Sequence, residues 1–512
     1  MRTIRLFALS CLMLFGVVSC KKKFDVDKMS IDDAKFETFF ERYPEFADFE
    51  EQMTELYEKH QNHFIWYDDG GRVEFAEVLY NRASQIGAEG VVTKLPYRDK
   101  IAAIYDIDEK KKPETDNDLL ISGMYFFYTS KVLEGLDADK SKQTGWYLPR
   151  EKGAYVDYLD ALMKDPDLIK KDEKELIGQY YNLRKGLQRY REIQKKGGWG
   201  SITWPEGKKS LKPGDNDPGI AQIRTRLAIV GDLAADSKST VFDDELKAGL
   251  ARYEQRQGRA PDNIITPALV KEMNVPVQER IKTIVVNMER CRWIDPDITE
   301  SKELIAVNIP SYRLVYFREG KPVLESNVVV GKELNKTVVF SGKMSYLVFS
   351  PYWNIPPSII KKEIQPGIDA DPDYLEKHNM EWNNGQVRQK PGNENSLGLV
   401  KFMFPNSNNI YLHDTPAKSL FSKDTRAFSH GCVRVEKARD LAVKILDSDK
   451  NWSPEKIDEA MHAGKESHYS LKHKIPVYIA YFTARADENG NVSFYDDVYQ
   501  RDNRLAHLLY TE

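Results

Sequence analysis

The sequence predicts an α+β multidomain chain: an α-helical scaffold, a small three-helix module, and a mostly β domain with a helical cap insertion. Three observations carry that prediction. From about Ile31 to Gly198, apolar and aromatic residues recur at spacings of three and four, the period of a helix. Two clusters of turn formers then break the pattern, Gly197-Gly198-Trp199-Gly200 and the run from Pro213 to Gly219. From Leu304 the period changes to two, in short β-branched or aromatic runs.

Composition agrees with several packed units. At ~150 residues per domain, 512 residues suggest about three. With 41% hydrophobic and 11% aromatic residues, the chain has material for real cores and is not disordered. The 75 Lys and Arg against 79 Asp and Glu leave −4, so no basic field points to nucleic acid as a partner.

The N-terminus reads as an export signal. Arg2 and Arg5 precede the uncharged run Leu6 to Ser19, which is short for a membrane span and suits a signal core. It ends at Val17-Val18-Ser19-Cys20, which resembles a bacterial lipobox and implies cleavage before a lipidated Cys20. The expectation is a signal over 1–19, a tether over 20–30 and a mildly acidic exported body. Lys21, Lys22 and Lys23 would lie beside the bilayer, each worth about 1 kcal/mol against anionic lipid.

The scaffold is expected over 31–205. Phe36, Phe39, Phe40, Tyr43, Phe46 and Phe49 read as one buried stripe, a core feature. His60 and His63 could face one metal from a helix, but with no acidic or cysteine partner they read as surface residues. The module over 206–277 holds three helices. Ile220, Ile223, Leu227 and Val230 lead to a C-cap at Gly231, and Phe242, Leu246, Leu250 and Tyr253 repeat the pattern. Thr266 caps the third helix, Pro267 to Met273. A linking helix over 278–303 carries Cys291, read as a small buried hydrophobe.

Strands are predicted at 304–309, 313–317, 323–330, 338–340 and 346–349, within a domain over 304–485. Helices interrupt it at 371–380 and 436–445, the latter with Ala438, Leu441, Ala442 and Ile445 on one face. A hairpin turning at Asn489-Gly490 and a helical tail complete 486–512.

The chemistry concentrates in Tyr411-Leu412-His413-Asp414 and in Ser429-His430-Gly431-Cys432-Val433-Arg434. A cysteine attacks a carbonyl as thiolate, and its pKa near 8.5 falls beside a cation or a helix N-terminus. Arg434 and a helix starting near Glu436 offer both, so a depressed thiol pKa is expected. The amides of Gly431 and Cys432 would face a developing oxyanion.

Ser429-His430-Gly431-Cys432 with Arg434, and His413 upstream, resembles the active-site signature of the L,D-transpeptidases with a YkuD-type catalytic domain. Tyr352 to Ser358, Asn395 to Phe404 and Ile410 to Pro416 resemble further blocks of its large, multi-module subgroup. The segments around Trp66 and Gly197 to Trp199 resemble its helical scaffold. Leu250 to Gly258 resembles a peptidoglycan-binding module, although Asn263 stands where that family has glycine and the turn is expected to differ.

The resemblance implies Cys432 as nucleophile and His413 as base, its imidazole oriented by a backbone carbonyl near Asp414. His430 becomes a structural or oxyanion-side residue, on the far side of the segment from Cys432 if that is extended. Arg434 would hold the loop or meet a substrate carboxylate. Tyr411, Trp353, Asn354 and Ser429 would line the pocket, and a mobile cap would span about 361–390. Scattered cations such as Lys401 would suit anionic peptide stems. The implied reaction is acyl transfer from a tetrapeptide stem through a thioester, with release of D-alanine. A second stem as acceptor gives a 3→3 cross-link; water gives carboxypeptidase activity.

No cofactor or metal is implied. Peptidoglycan stems are the expected partners, with the membrane reached through the lipid and room for envelope or wall-synthesis proteins. The location would be periplasmic, anchored to the outer or inner membrane. A zinc hydrolase using His413, His430 and Cys432 is disfavoured by the spacing, and a papain-like protease by the order of cysteine and histidine. An idle, lipid-anchored wall-binding protein is the rival from another class.

Overall fold

The computed structural model describes Asp25 and residues 29–106, 113–148, 153–165 and 176–511, except the side chains of Asp33 and Thr299. The signal, Cys20 and Lys21 to Lys23 lie outside the described residues. The chain forms two compact units.

The first unit comprises residues up to Gln85, Leu95–Thr129 and Ala154–Lys170. Its centre is the helix Thr115–Thr129, buried on every side from Asp118 onward. Gly123 lets this helix close on Phe46, whose ring occupies the space a β-carbon would need. The aromatic stripe is divided between two helices, because Pro44 ends the first, Asp33–Arg42, and starts the 3₁₀ turn Pro44–Phe49. Phe39, Phe40, Tyr43 and Phe46 are buried, whereas Phe36 and Phe49 are half-buried. Asp118 is fully buried and accepts from Tyr57 Oη at 2.6 Å and from the Trp66 and Ile65 amides at 2.9 and 3.2 Å.

The second unit holds the rest, so the predicted scaffold of 31–205 is divided between the two. The helix Gly178–Lys195 packs on Val277–Arg292, and both contribute to the core shared with the β domain. Cys291 is buried there, and burial drives its thiol pKa far up. The three-helix module forms at Pro218–Val230, Asp244–Arg256 and Pro267–Met273 around its own core. Ile202 and Trp204 join that core, so it begins before residue 206. Gly231 caps the first helix at φ 86°, and Thr266 Oγ1 accepts the Leu269 amide. Asn263 adopts φ 60°, the left-handed conformation glycine favours, which asparagine tolerates better than most residues.

The β domain is a nine-stranded sheet. In chain order its strands are β1 (Glu303–Asn308), β2 (Arg313–Arg318), β3 (Lys321–Gly331), β4 (Phe340–Phe349) and β5 (Val400–Met403). They continue with β6 (Leu412–His413), β7 (Ala427–Ser429), β8 (Val433–Val435) and β9 (Ser467–Ala480). The order is β7-β3-β8-β6-β5-β4-β9-β1-β2, and β2 also pairs with β3, which closes the sheet on itself. Closure leaves only the short β7 at an edge and surrounds a core of Val328, Val330, Leu347, Phe402, Leu412, Val433 and Val477. The helix Ala438–Leu446 packs its predicted apolar face on β3 and β5.

Two elements differ from expectation. The strands predicted at 338–340 and 346–349 are one ten-residue strand, β4, carried through Ser341-Gly342-Lys343 by its pairing with the long β9. The cap starts earlier than predicted and is not wholly helical. Short helical segments over Pro357–Ala370 and Tyr374–Lys377 accompany a three-stranded sheet of Trp353–Asn354, Met380–Asn383 and Gln386–Gln389. Ile355, Ile359, Ile364, Met380 and Val387 form its separate core.

Candidate active site

Register builds the site. His413 on β6 is paired with Lys401 of β5 on one side and with Arg434 of β8 on the other. Directly opposed residues share a face, so Lys401, His413 and Arg434 form a row. Their neighbours Phe402, Leu412 and Val433 turn into the core. Tyr411 and Cys432 stand two residues before His413 and Arg434, just outside the strands, and Tyr411, Lys401 and Arg434 all act on the thiol. The Val433 amide donates to the Tyr411 carbonyl at 3.1 Å, which keeps the two segments paired there. His413 and Cys432 are linked through Tyr411, whose ring lies 5.7 Å from that of His413 and whose amide and hydroxyl both reach the thiol.

His413 is buried, and its Nδ1 donates to the carbonyl oxygen of Asp414 at 2.5 Å. That bond selects the Nδ1–H tautomer and leaves Nε2 as the acceptor. Burial, then the charges of Arg434 and Lys401, lower its pKa to about 3, although carbonyls of Asp414 and Leu397 favour the imidazolium. The Asp414 carboxylate turns away, accepting from Lys418 Nζ at 2.6 Å and the Leu399 amide at 3.0 Å.

Cys432 is free and half-buried, its Sγ 3.8 Å from the Asn409 carbonyl oxygen. Burial raises its thiol pKa, and the Tyr411 amide and hydroxyl, Lys401 and Arg434 oppose the rise without reversing it. The depressed thiol pKa expected from the sequence is therefore corrected. The helix expected near Glu436 starts only at Ala438, with all of β8 between it and the thiol. Both shifts favour the neutral forms, a thiol at Cys432 and an uncharged imidazole at His413. Tyr411 fits a pocket wall: its ring lies 5.7 Å from that of His413, and Lys401 Nζ sits 4.0 Å from its centroid.

The segment between β7 and β8 is a bend, not a strand. Ser429 Oγ donates to the Cys432 carbonyl at 2.5 Å and accepts the Gly431 amide at 3.1 Å. Ser429 is buried, so its hydroxyl braces the loop instead of lining a pocket. The Gly431 amide is consequently not free for an oxyanion, which corrects the paired donors expected. Gly431 itself requires φ 119°, a region reserved for glycine. His430 is exposed and pairs through Nε2 with Glu363 Oε1 of the cap at 2.8 Å.

Trp353 is half-buried and packs against the cap core, and Asn354 is exposed on the same strand. Sequence reasoning misses Thr337 and Glu363, which bond the loop from segments far away in the chain, and Tyr499, which bonds Thr337 and Gly331 behind it. Arg434 is half-buried with an unpartnered Nε, and neither it nor Lys401 is in an ion pair among the described residues. Two desolvated cations, neither of them in an ion pair among the described residues, act on the thiol. Among the described residues, no group of three or more His, Cys, Asp or Glu is placed to hold a metal ion. No helix there is long and apolar enough to cross a membrane.

Residues 302–457 match the family described as the L,D-transpeptidase catalytic domain, and residues 51–187 match a scaffold domain. A protein of Haemophilus influenzae, named provisionally as an L,D-transpeptidase, is 36% identical over 256 residues. The alignment covers 46% of this chain and 50% of the relative, so the chain spans about half the length of the protein it matches. Among solved structures, an L,D-transpeptidase from Mycobacterium smegmatis aligns at 14% identity and TM-score 0.21, over 35% of this chain and 58% of that one. One from Stackebrandtia nassauensis aligns at 15% identity and TM-score 0.21, over 53% and 97%. At those scores the two likenesses carry no weight here.

Proposed function

Because the chain carries an L,D-transpeptidase catalytic domain beside a scaffold domain, we propose that it forms 3→3 cross-links in peptidoglycan by acyl transfer through Cys432. The observation that supports this reading is the cluster of Cys432, Tyr411, His413, Lys401 and Arg434, with His413 held in the tautomer whose Nε2 carries no proton. In the proposed step, Sγ attacks the carbonyl between the third stem residue and terminal D-alanine while its proton passes to His413 Nε2. The C–N bond breaks, the same proton goes to the departing amine, and D-alanine leaves a thioester on Cys432. The amine of a second stem then attacks, regenerating the thiol.

A neutral histidine suits this task better than an imidazolium, since only the neutral ring accepts the thiol proton. Lys401 and Arg434 support recognition of a donor carboxylate, for which a guanidinium fork is geometrically suited. The lipobox extends the proposal to a periplasmic protein anchored through Cys20, and Cys20→Ser is expected to abolish lipid labelling.

The test is incubation of residues 24–512 with purified disaccharide tetrapeptide, with Cys432→Ala alongside and mass spectrometry of the products. A dimer lacking one D-alanine supports the transpeptidase. Tripeptide alone would make the protein a carboxypeptidase, and no Cys432-dependent product would favour an idle wall-binding protein.

A further inference from the structure

The hydrogen bonds behind the Cys432 loop form a closed account with one group left over. The Gly431 amide and the Cys432 carbonyl both go to Ser429 Oγ. The Gly431 carbonyl accepts from Thr337 Oγ1 at 2.8 Å, and Thr337 Oγ1 in turn accepts the Gly331 amide at 2.9 Å. Tyr499 Oη donates to the Gly331 carbonyl at 2.6 Å and accepts the Thr337 amide at 3.1 Å. Thr337 and Tyr499 are both buried, and Tyr499 is stacked on Tyr481. The remaining group is the Cys432 N–H, which has no intramolecular acceptor among the described residues.

The Gly431 carbonyl and the Cys432 N–H belong to one planar trans peptide, so they point in opposite directions. A bond that fixes the carbonyl therefore aims the N–H. We propose that Thr337, locked in turn by Tyr499, is a positioning residue that holds the Gly431–Cys432 peptide so that the Cys432 N–H faces the oxyanion formed during acyl transfer. Space behind the loop is as restricted as the bonding. A β-carbon on Gly331 would collide with the Asn335 carbonyl and stand 3.1 Å from Gly431 Cα. Tyr499 lies beyond residues 302–457, so the C-terminal segment becomes part of the catalytic apparatus and not a trailing tail.

The inference rests on acyl transfer by Cys432, and its test does not need the natural substrate. With p-nitrophenyl acetate, the thiol proton passes to His413, the sulfur–carbon bond forms, the ester C–O bond breaks with loss of p-nitrophenolate, and the transition state carries an oxyanion. Iodoacetamide alkylates the same sulfur with none. The expected result for Thr337→Val is a loss on the order of tenfold or more in Cys432-dependent ester acylation, with alkylation unchanged. Thr337→Ser, which keeps the hydroxyl, should retain the parent rate, and Tyr499→Phe should fall in the same direction as Thr337→Val. Equal losses in both reactions, no loss in either, or no Cys432-dependent acylation in the parent protein would overturn the inference. Tetrapeptide turnover is followed in parallel: its absence with the ester pattern intact would sink the cross-linking proposal and leave the positioning role standing.

Discussion

His413 is oriented by the backbone of Asp414, not by its side chain: Nδ1 lies 2.5 Å from the Asp414 carbonyl oxygen, while the carboxylate is bonded to Lys418 and the Leu399 amide. A carbonyl fixes the tautomer without placing a negative charge beside the imidazole. Burial and the nearby cations then keep the ring neutral.

Asp414→Asn should therefore cost far less than His413→Ala. The amide can still accept from Leu399, and the backbone bond to the imidazole is untouched, so kcat/KM is expected to stay within about tenfold of the parent. His413→Ala should lose on the order of 10²–10⁴, the usual range for a general base. Steady-state kinetics on the tetrapeptide decide it. A loss near 10⁴ in Asp414→Asn would indicate a carboxylate acting on the imidazole.

Alkylation of Cys432 should be slow at neutral pH. Burial raises the thiol pKa, so the thiolate forms only above the ordinary range, and carbamidomethylation without substrate should rise above about pH 8.5. Peptide mass spectrometry across pH 6 to 10 measures it. A midpoint below pH 8 would mean that Lys401, Arg434 and Tyr411 outweigh burial.

Ser429→Ala should lower kcat and leave KM unchanged, by about tenfold or more. Its hydroxyl binds the Gly431 amide and the Cys432 carbonyl and so acts on loop geometry. A rise in KM alone would restore the pocket role that the motif suggests.

Asp118 makes the helical unit pH-sensitive. Burial raises its carboxyl pKa to about 6 despite donors from Tyr57, Trp66 and Ile65. A folded pKa above the unfolded value gives stability that is full below about pH 4 and lost as pH rises through 6. Hydrogen-exchange protection of the Ile65 and Trp66 amides should fall from pH 5 to 7. Asp118→Asn should flatten that slope while costing about 1–3 kcal/mol, because the amide cannot accept from all three donors. An unchanged slope in the variant would contradict this.

Much of the molecule is legible in the sequence because the relevant signals are local. The change of period at Leu304, the caps at Gly231 and Thr266 and the apolar face of Ala438–Leu446 all arise within a few residues of one another. Cys432 and His413 stand in short, distinctive strings, and parallel pairing of β6 with β8 brings those strings together. What was misread depends on distant partners. Ser341-Gly342-Lys343 looks like a turn, yet β9 holds it extended and the Phe404 ring covers Gly342. Nothing near Tyr499 in the sequence signals that its hydroxyl reaches Gly331 and Thr337. The thiol pKa reversed direction for a similar reason, since burial is a property of the assembled barrel and Arg434 is a property of the motif.

The most direct test is to trap the covalent intermediate. The protein is mixed with tetrapeptide, quenched in acid within the first turnover, digested and mapped by mass spectrometry. Acyl transfer through Cys432 predicts a stem, less its D-alanine, joined as a thioester to the peptide that contains Cys432, released by hydroxylamine and absent in Cys432→Ala. Cross-linking or D-alanine release that persists in Cys432→Ala, or an adduct on another residue, would contradict it.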